Sequence, residues 1–258
     1  LATSSPRIDL SELPFVTIDG KNAKDFDDAV CAEETNKGDL NLYVAIADVS
    51  HYVEVDSFID NEARTRGTSI YFTNKVLPML PEEISNKLCS LRPKEKKACL
   101  VCKAELDKKG KLKEASFFEA IIESKARLTY EETSNFFEKE DYPLHLSTCL
   151  TPLKKIYDLL KEQKISRCAL ELEIPDYLPK IRNGEIQRFI RSKRNISHQV
   201  IEECMLLANI CAAEVLLKSG SPSIYRIHPR PDATSIKQLE LFARSRRINI
   251  KIRPEGKV

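Results

Sequence analysis

Apolar and polar positions alternate along the first half of the chain at strand spacing and recur along the second half at helical spacing. LPFVTID (residues 13–19) alternates, and LNLYVAIADV (40–49) is nearly continuous, as a strand buried on both faces requires. DSFIDNEARTRG (56–67) begins with an acid able to cap and ends on a glycine, which predicts a short helix with Asp56 at its start. TSIYFT (68–73) predicts a strand. PEEISNKLCSL places Pro81 at the first position of a helix, and ACLVCKAELDKKGKLKEASFFEAIIE predicts two strands joined at the KKG turn.

Three helical signals follow. Thr129 and Glu132 form a capping box, Thr151 and Pro152 open TPLKKIYDLLKEQK, and Ser197 opens a long segment that closes at Gly220. On a helical wheel of that last segment, Val200, Cys204, Leu207, Ala208, Cys211 and Val215 form one stripe. Glu202 and Asn209 fall nearly opposite, among Leu206, Ala213 and Leu216, so the helix is apolar almost all round and is expected to be buried. A carboxylate on its second face then needs a partner, either inside the protein or on a ligand. With no internal repeat, the pattern predicts an α+β fold. Residues 1–14 read as a linker or approach strand, and residues 15–258 as the N-terminal and central part of a domain whose C-terminal part is absent.

Composition narrows the class. The chain has 258 residues, 42% of them hydrophobic, enough for one large domain or two small ones. No apolar run reaches the roughly 20 residues of a membrane span and no signal peptide is visible, so the expectation is a soluble, cytoplasmic protein. The chain starts at Leu1 rather than Met, and INIKIRPEGKV stops just after a strand-like alternation, so it reads as part of a longer protein. Most of the eight cysteines sit in apolar segments and read as reduced core thiols; Cys99 and Cys102 lie within a strand, and no second pair follows at zinc spacing.

The formal net charge of +2 conceals an uneven distribution. Residues 19–60 carry eleven acids against three lysines, residues 92–113 nine basic residues against three acids, and residues 180–194 six against one. Such an arrangement suits a polyanion held by Lys and Arg with one phosphate brought to a metal. Solvated surface faces would produce the same counts.

The densest acids are Asp19, Asp25, Asp27 and Asp28, in DGKNAKDFDDAV directly after a predicted strand. A helix-loop-helix calcium loop fails on residue identity, because Lys21, Ala23 and Lys24 fall where ligands and a glycine belong. A magnesium site for phosphoryl chemistry fits the spacing: Asp19 ends one strand, Gly20 eases the turn, and the other three lie on the returning segment. A screened surface turn fits it too.

Several ordered blocks go further. TIDGKNAKDFDDAV, LYVAIADVSHYV, NEARTRGTSIYF, LPMLPEEISNKLCSL and IEECMLLANICAA closely resemble the RNB catalytic domain of the ribonuclease II and ribonuclease R family, with RGTSIYF nearer the ribonuclease R pattern. The resemblance implies a processive hydrolytic exoribonuclease that degrades single-stranded RNA from its 3′ end and releases nucleoside 5′-monophosphates with magnesium, two ions taking part. It implies a metal site at Asp19, Asp25, Asp27 and Asp28, with Asp27 the acid whose loss abolishes chemistry but spares RNA binding. It implies that Tyr71 stacks on a base near the 3′ end, that Glu202 contacts the RNA sugar, and that the protein is monomeric. The family's second stacking aromatic falls near Leu170, and its catalytic arginine, in a downstream Ser-Pro-Ile-Arg block, is not in this sequence; nor are the OB-type and S1 domains. The competing readings are a non-catalytic RNA-binding module or inactive fragment, and a structural metal-binding domain.

Overall fold

The apolar runs of the first half pair into one seven-stranded sheet. Its strands, in chain order with the intervening elements, are β1 (Ile8–Asp9), β2 (Val16–Asp19), β3 (Asp28–Glu34), β4 (Leu40–Ala47), then α1 (Phe58–Arg66), the short strands β5 (Ile70–Tyr71) and β6 (Val76–Leu77), and β7 (Lys96–Leu106), β8 (Leu112–Glu123) and β9 (Ala126–Thr129). The spatial order is β1-β8-β7-β4-β3-β2-β9, antiparallel except at the edges, where β1 runs parallel to β8 and β9 parallel to β2. β5 and β6 form a separate antiparallel pair. Then come α2 (Tyr130–Lys139), α3 (Leu144–Ser166), the hairpin β10 (Tyr177–Arg182) and β11 (Glu185–Arg191), α4 (Ile196–Ser219) and α5 (Ala233–Ser245). This is a mixed α+β fold with a mainly antiparallel sheet and packed helices. The computed structural model describes residues 6–72, 75–166, 174–175, 177–182, 184–191, 194–227 and 229–250, in two units, Leu1–Val215 and Leu216–Val258. In the second unit α5 is capped by Asp232, whose side chain accepts the Ser235 N–H at 2.7 Å.

The central strands β3 and β4 are buried over most of their length, which accounts for the unbroken apolar run of β4. α3 lies against them. Its buried residues Leu146, Cys149, Leu150, Leu153, Ile156, Tyr157 and Leu160 follow helical spacing without a break. That stripe explains why the helix begins at Leu144 rather than at Thr151: Pro152 sits inside it, and packing on both sides offsets the hydrogen bond the proline cannot make. The capping box is formed as expected, the Glu132 N–H donating to Thr129 Oγ1 and the Thr129 N–H to Glu132 Oε2.

Other boundaries differ from the sequence pattern. α1 is capped by Ser57, which accepts the Asp60 N–H, while Asp56 holds a left-handed backbone before it. Among the described residues of TSIYFT only Ile70 and Tyr71 form a strand, β5, and PEEISNKLCSL forms a wide turn in which the Cys89 N–H reaches back five residues to the Ile84 carbonyl. α4 is buried along one face through Val200, Ile201, Cys204, Leu207 and Cys211, but Leu206, Ile210, Leu216 and Leu217 are exposed, so it is not enclosed all round. Cys168 and Leu170 lie outside the described residues; the seven described cysteines are buried and unbridged. Among the described residues, no helix is long and apolar enough to cross a membrane.

Leu153 is fully buried. Leu153→Ala is expected to cost about 2–5 kcal/mol, read as a lower urea midpoint at unchanged slope.

Candidate active site

β2 ends at Asp19 and β3 begins at Asp28, so the chain leaves the sheet at one acid and returns at another, with Asp25 and Asp27 on the loop between. The loop is fastened mainly through its backbone. The Ala23 N–H donates to the Gly20 carbonyl at 3.0 Å, closing the first turn. The buried Ser90 hydroxyl accepts the Phe26 N–H at 3.0 Å and donates to the Lys24 carbonyl at 3.0 Å, bracketing Asp25. The Leu91 N–H donates to the Phe26 carbonyl and the Ala47 N–H to the Asp27 carbonyl, each at 2.9 Å. From β9, Arg127 donates to the carbonyls of Gly20 at 2.8 Å and Lys21 at 2.7 Å.

The four acids are near enough to perturb one another. Burial, then the charges of Asp25 and Asp27, push Asp19 up to about 6 against the opposing pull of Arg127. Burial, then Asp19 and Asp27, push Asp28 up to about 6, and burial with Asp25 raises Asp27. Asp19 Oδ2 is buried with no hydrogen-bond partner. Asp48, close by in sequence, is different: hydrogen bonds from Ser50 and Arg7, the latter at 2.6 Å, outweigh burial and hold it below the usual carboxylate range. Asp48 is therefore a neutralised structural acid, while the loop acids keep unbalanced charge. Such a set favours a proton or a hard cation. Among the described residues, no group of three His, Cys, Asp or Glu side chains is closed around a metal position.

Tyr71 is 69% exposed, which rules out a core tyrosine, and lines a cavity of about 290 Å³ with Asp25, Asp27 and Ile46. A neighbouring cavity of about 580 Å³ is lined by Tyr71, Phe72, Asp25, Lys24 and Lys75. Both cavities reach Asp25. Glu202 is half-buried on α4 and paired with Arg194 rather than enclosed; the buried carboxylate of that helix is Glu203, 3.1 Å from Lys164 Nζ.

Four neighbours were not singled out from the sequence: Ser90, Arg127, Tyr130 and His198. Burial, then Asp19 and Asp28, raise the Tyr130 phenol, and His198 stacks on its ring at 3.9 Å while Asn195 donates to the Tyr130 carbonyl at 3.2 Å. The capping box held a usable signal, because it puts Tyr130 directly after Thr129, the residue paired with Asp19 across β2 and β9.

Residues 7–256 match the RNB domain family, and the chain belongs to it, close to ribonuclease R. It is 46% identical over 232 residues to ribonuclease R of Vibrio parahaemolyticus, covering 87% of this chain and 28% of that protein. Identity to Escherichia coli ribonuclease R is 43% over 237 residues, covering 89% and 29%. The fold superposes with a TM-score of 0.92 on Mycoplasma genitalium RNase R in complex with ribose methylated single-stranded RNA, at 31% identity, covering 99% of this chain and 40% of that one. The chain thus spans under a third of the length of these two curated relatives.

The raised acids set a sign for stability. Asp28 near 6 when folded against 3.8 unfolded contributes stability present below about pH 4 and lost as pH rises through 6. In EDTA, Asp28→Asn is expected to raise the melting temperature at pH 7 by about 2–4 °C and to leave it nearly unchanged at pH 4.

Proposed function

We propose that this chain carries the metal-binding acids of a processive, magnesium-dependent 3′-to-5′ exoribonuclease that acts on single-stranded RNA and releases nucleoside 5′-monophosphates. The observation that carries the reading is the set of four aspartates fastened together against mutual repulsion, with an Asp19 oxygen left without a partner beside them. The ribonuclease R relatives support it, as does the single-stranded RNA bound by the Mycoplasma protein.

The donor set fits magnesium. Carboxylate oxygens are hard ligands, and magnesium is commonly bound through one or two carboxylates with water and substrate phosphate oxygens, so a closed protein cage is not required. Asp19, Asp25, Asp27 and Asp28 would hold the metal, which when bound supplies positive charge to screen the anionic phosphodiester and to stabilise charge developing on the leaving 3′-oxygen. Tyr71 presents its ring beside Asp25 and Asp27, where it would stack on a base near the 3′ end without regard to base identity. Glu202, half-exposed on α4 and paired with Arg194, would meet a ribose hydroxyl with its carboxylate edge.

The two basic stretches differ in how far their charge is paired. In the first, Lys96, Lys97, Lys103 and Lys113 are paired with Asp9, Glu95, Glu105 and Asp39. In the second, Lys180, Arg182, Arg188 and Arg191 stand exposed on the β10–β11 hairpin without an ion pair to a described acid. The hairpin therefore offers charge to RNA phosphates, as do the exposed Lys94, Lys108, Lys109 and Lys111 of the first stretch.

Asp27→Asn is expected to lower monophosphate release from labelled single-stranded RNA by about 10²–10³-fold or more with magnesium, at nearly unchanged RNA affinity. Retained turnover would exclude the assigned role. Tyr71→Ala should weaken RNA binding by about 1–3 kcal/mol and alter the length of the final product, read by filter binding and a sizing gel.

A further inference from the structure

Arg127 lies on β9 opposite Thr17, two residues before the Thr129 that faces Asp19. Its guanidinium donates to the carbonyls of Gly20 and Lys21, immediately after Asp19. The same group sits 5.6 Å from the centre of the Phe26 ring, and Phe26 separates Asp25 from Asp27. One side chain therefore touches both ends of the acidic loop. It forms no ion pair with Asp19 among the described residues, and Arg127 Nε and Asp19 Oδ2 are each buried without a hydrogen-bond partner. A direct bond would occupy the oxygen a cation needs. Here the donors go to main-chain carbonyls instead.

We propose that Arg127 is a positioning residue for the cation site: it cross-ties the loop, fixing Asp19 relative to Asp25 and Asp27 while leaving the Asp19 oxygen open to the ion. This rests on the reading of these aspartates as cation ligands. The role is separable from that of a nearby positive charge, because the two predict opposite signs. Charge alone repels a cation, so its removal tightens cation binding. Loss of the cross-tie loosens the ligands and weakens binding, as changes behind metal ligands commonly do, by about 10–100-fold.

The test is calorimetric titration of Mg²⁺, repeated with Mn²⁺, into the protein without RNA, alongside the melting temperature with and without the ion. Arg127→Met removes both the donor and the charge; Arg127→Lys keeps the charge but loses the planar guanidinium that reaches both carbonyls through one nitrogen while lying over the Phe26 ring. Both are expected to weaken binding by about 10–100-fold and to shrink the ion-induced rise in melting temperature. Phe26→Leu, which removes the ring beneath the guanidinium and keeps an apolar side chain at this buried position, is expected to give a smaller loss of the same sign. With RNA, half-maximal hydrolysis should move to higher Mg²⁺, with the rate recovering at saturating ion and KM for RNA unchanged. Unchanged or tighter binding in folded Arg127→Met overturns the inference alone. If that variant does not fold, unchanged binding in Arg127→Lys has the same force. Absence of Mg²⁺ binding by the unaltered protein removes the reading beneath it, and the inference with it.

Discussion

Like charges held together in a partly dry place are the constraint around which this fold is arranged. Two unit charges about 4 Å apart repel by about 4 kcal/mol at an effective dielectric near 20, so a loop bearing Asp19, Asp25, Asp27 and Asp28 would open if left to itself. It is kept closed by bonds to its main chain from elements that have their own reasons to stay put. Ser90 and Leu91 follow a wide turn whose Ile84 and Cys89 belong to the core, Ala47 ends the buried β4, and Arg127 extends from β9. The repulsion is carried by the sheet as a whole rather than by any one contact.

Elsewhere the same chain balances its charge. Asp48 has Arg7, Glu203 has Lys164, and the lysines of β7 and β8 have carboxylates at hydrogen-bond distance. Exposed pairs of this kind contribute little to stability, and they occupy four lysines of the first basic stretch, leaving Lys94, Lys108, Lys109 and Lys111 exposed without an ion pair among the described residues. Among the described residues, negative charge stays unbalanced in the acidic loop, and positive charge on the exposed hairpin and on Lys94, Lys108, Lys109 and Lys111.

What the sequence disclosed was local. Asp19 at a strand end, the returning acids, the Thr129–Glu132 box and the β7–β8 turn all declare themselves within a few residues, and each stands where its spacing put it. The start of α3 was misplaced because Pro152 is a local signal while the buried stripe from Leu146 is a tertiary one. The same limit hid the exposed face of α4, since periodicity reports apolarity and not whether anything covers it. Ser90, Arg127 and His198 were illegible for a related reason: each matters through a partner distant in sequence, and none belongs to a residue type that advertises the partnership.

That distance has a consequence for how the protein is made. The carbonyl of Gly20 and the arginine that grips it are 107 residues apart, and Phe26 and Ser90 are 64 apart. Contacts of such separation form late, after loop-closure entropy has been overcome. A ribosome therefore delivers all four aspartates long before the strand that gathers them. During synthesis they are ordinary hydrated acids on an unfolded segment, and the concentration of negative charge comes into being only when β9 docks beside β2. Assembly of the sheet and the appearance of the site's electrostatic field are one event.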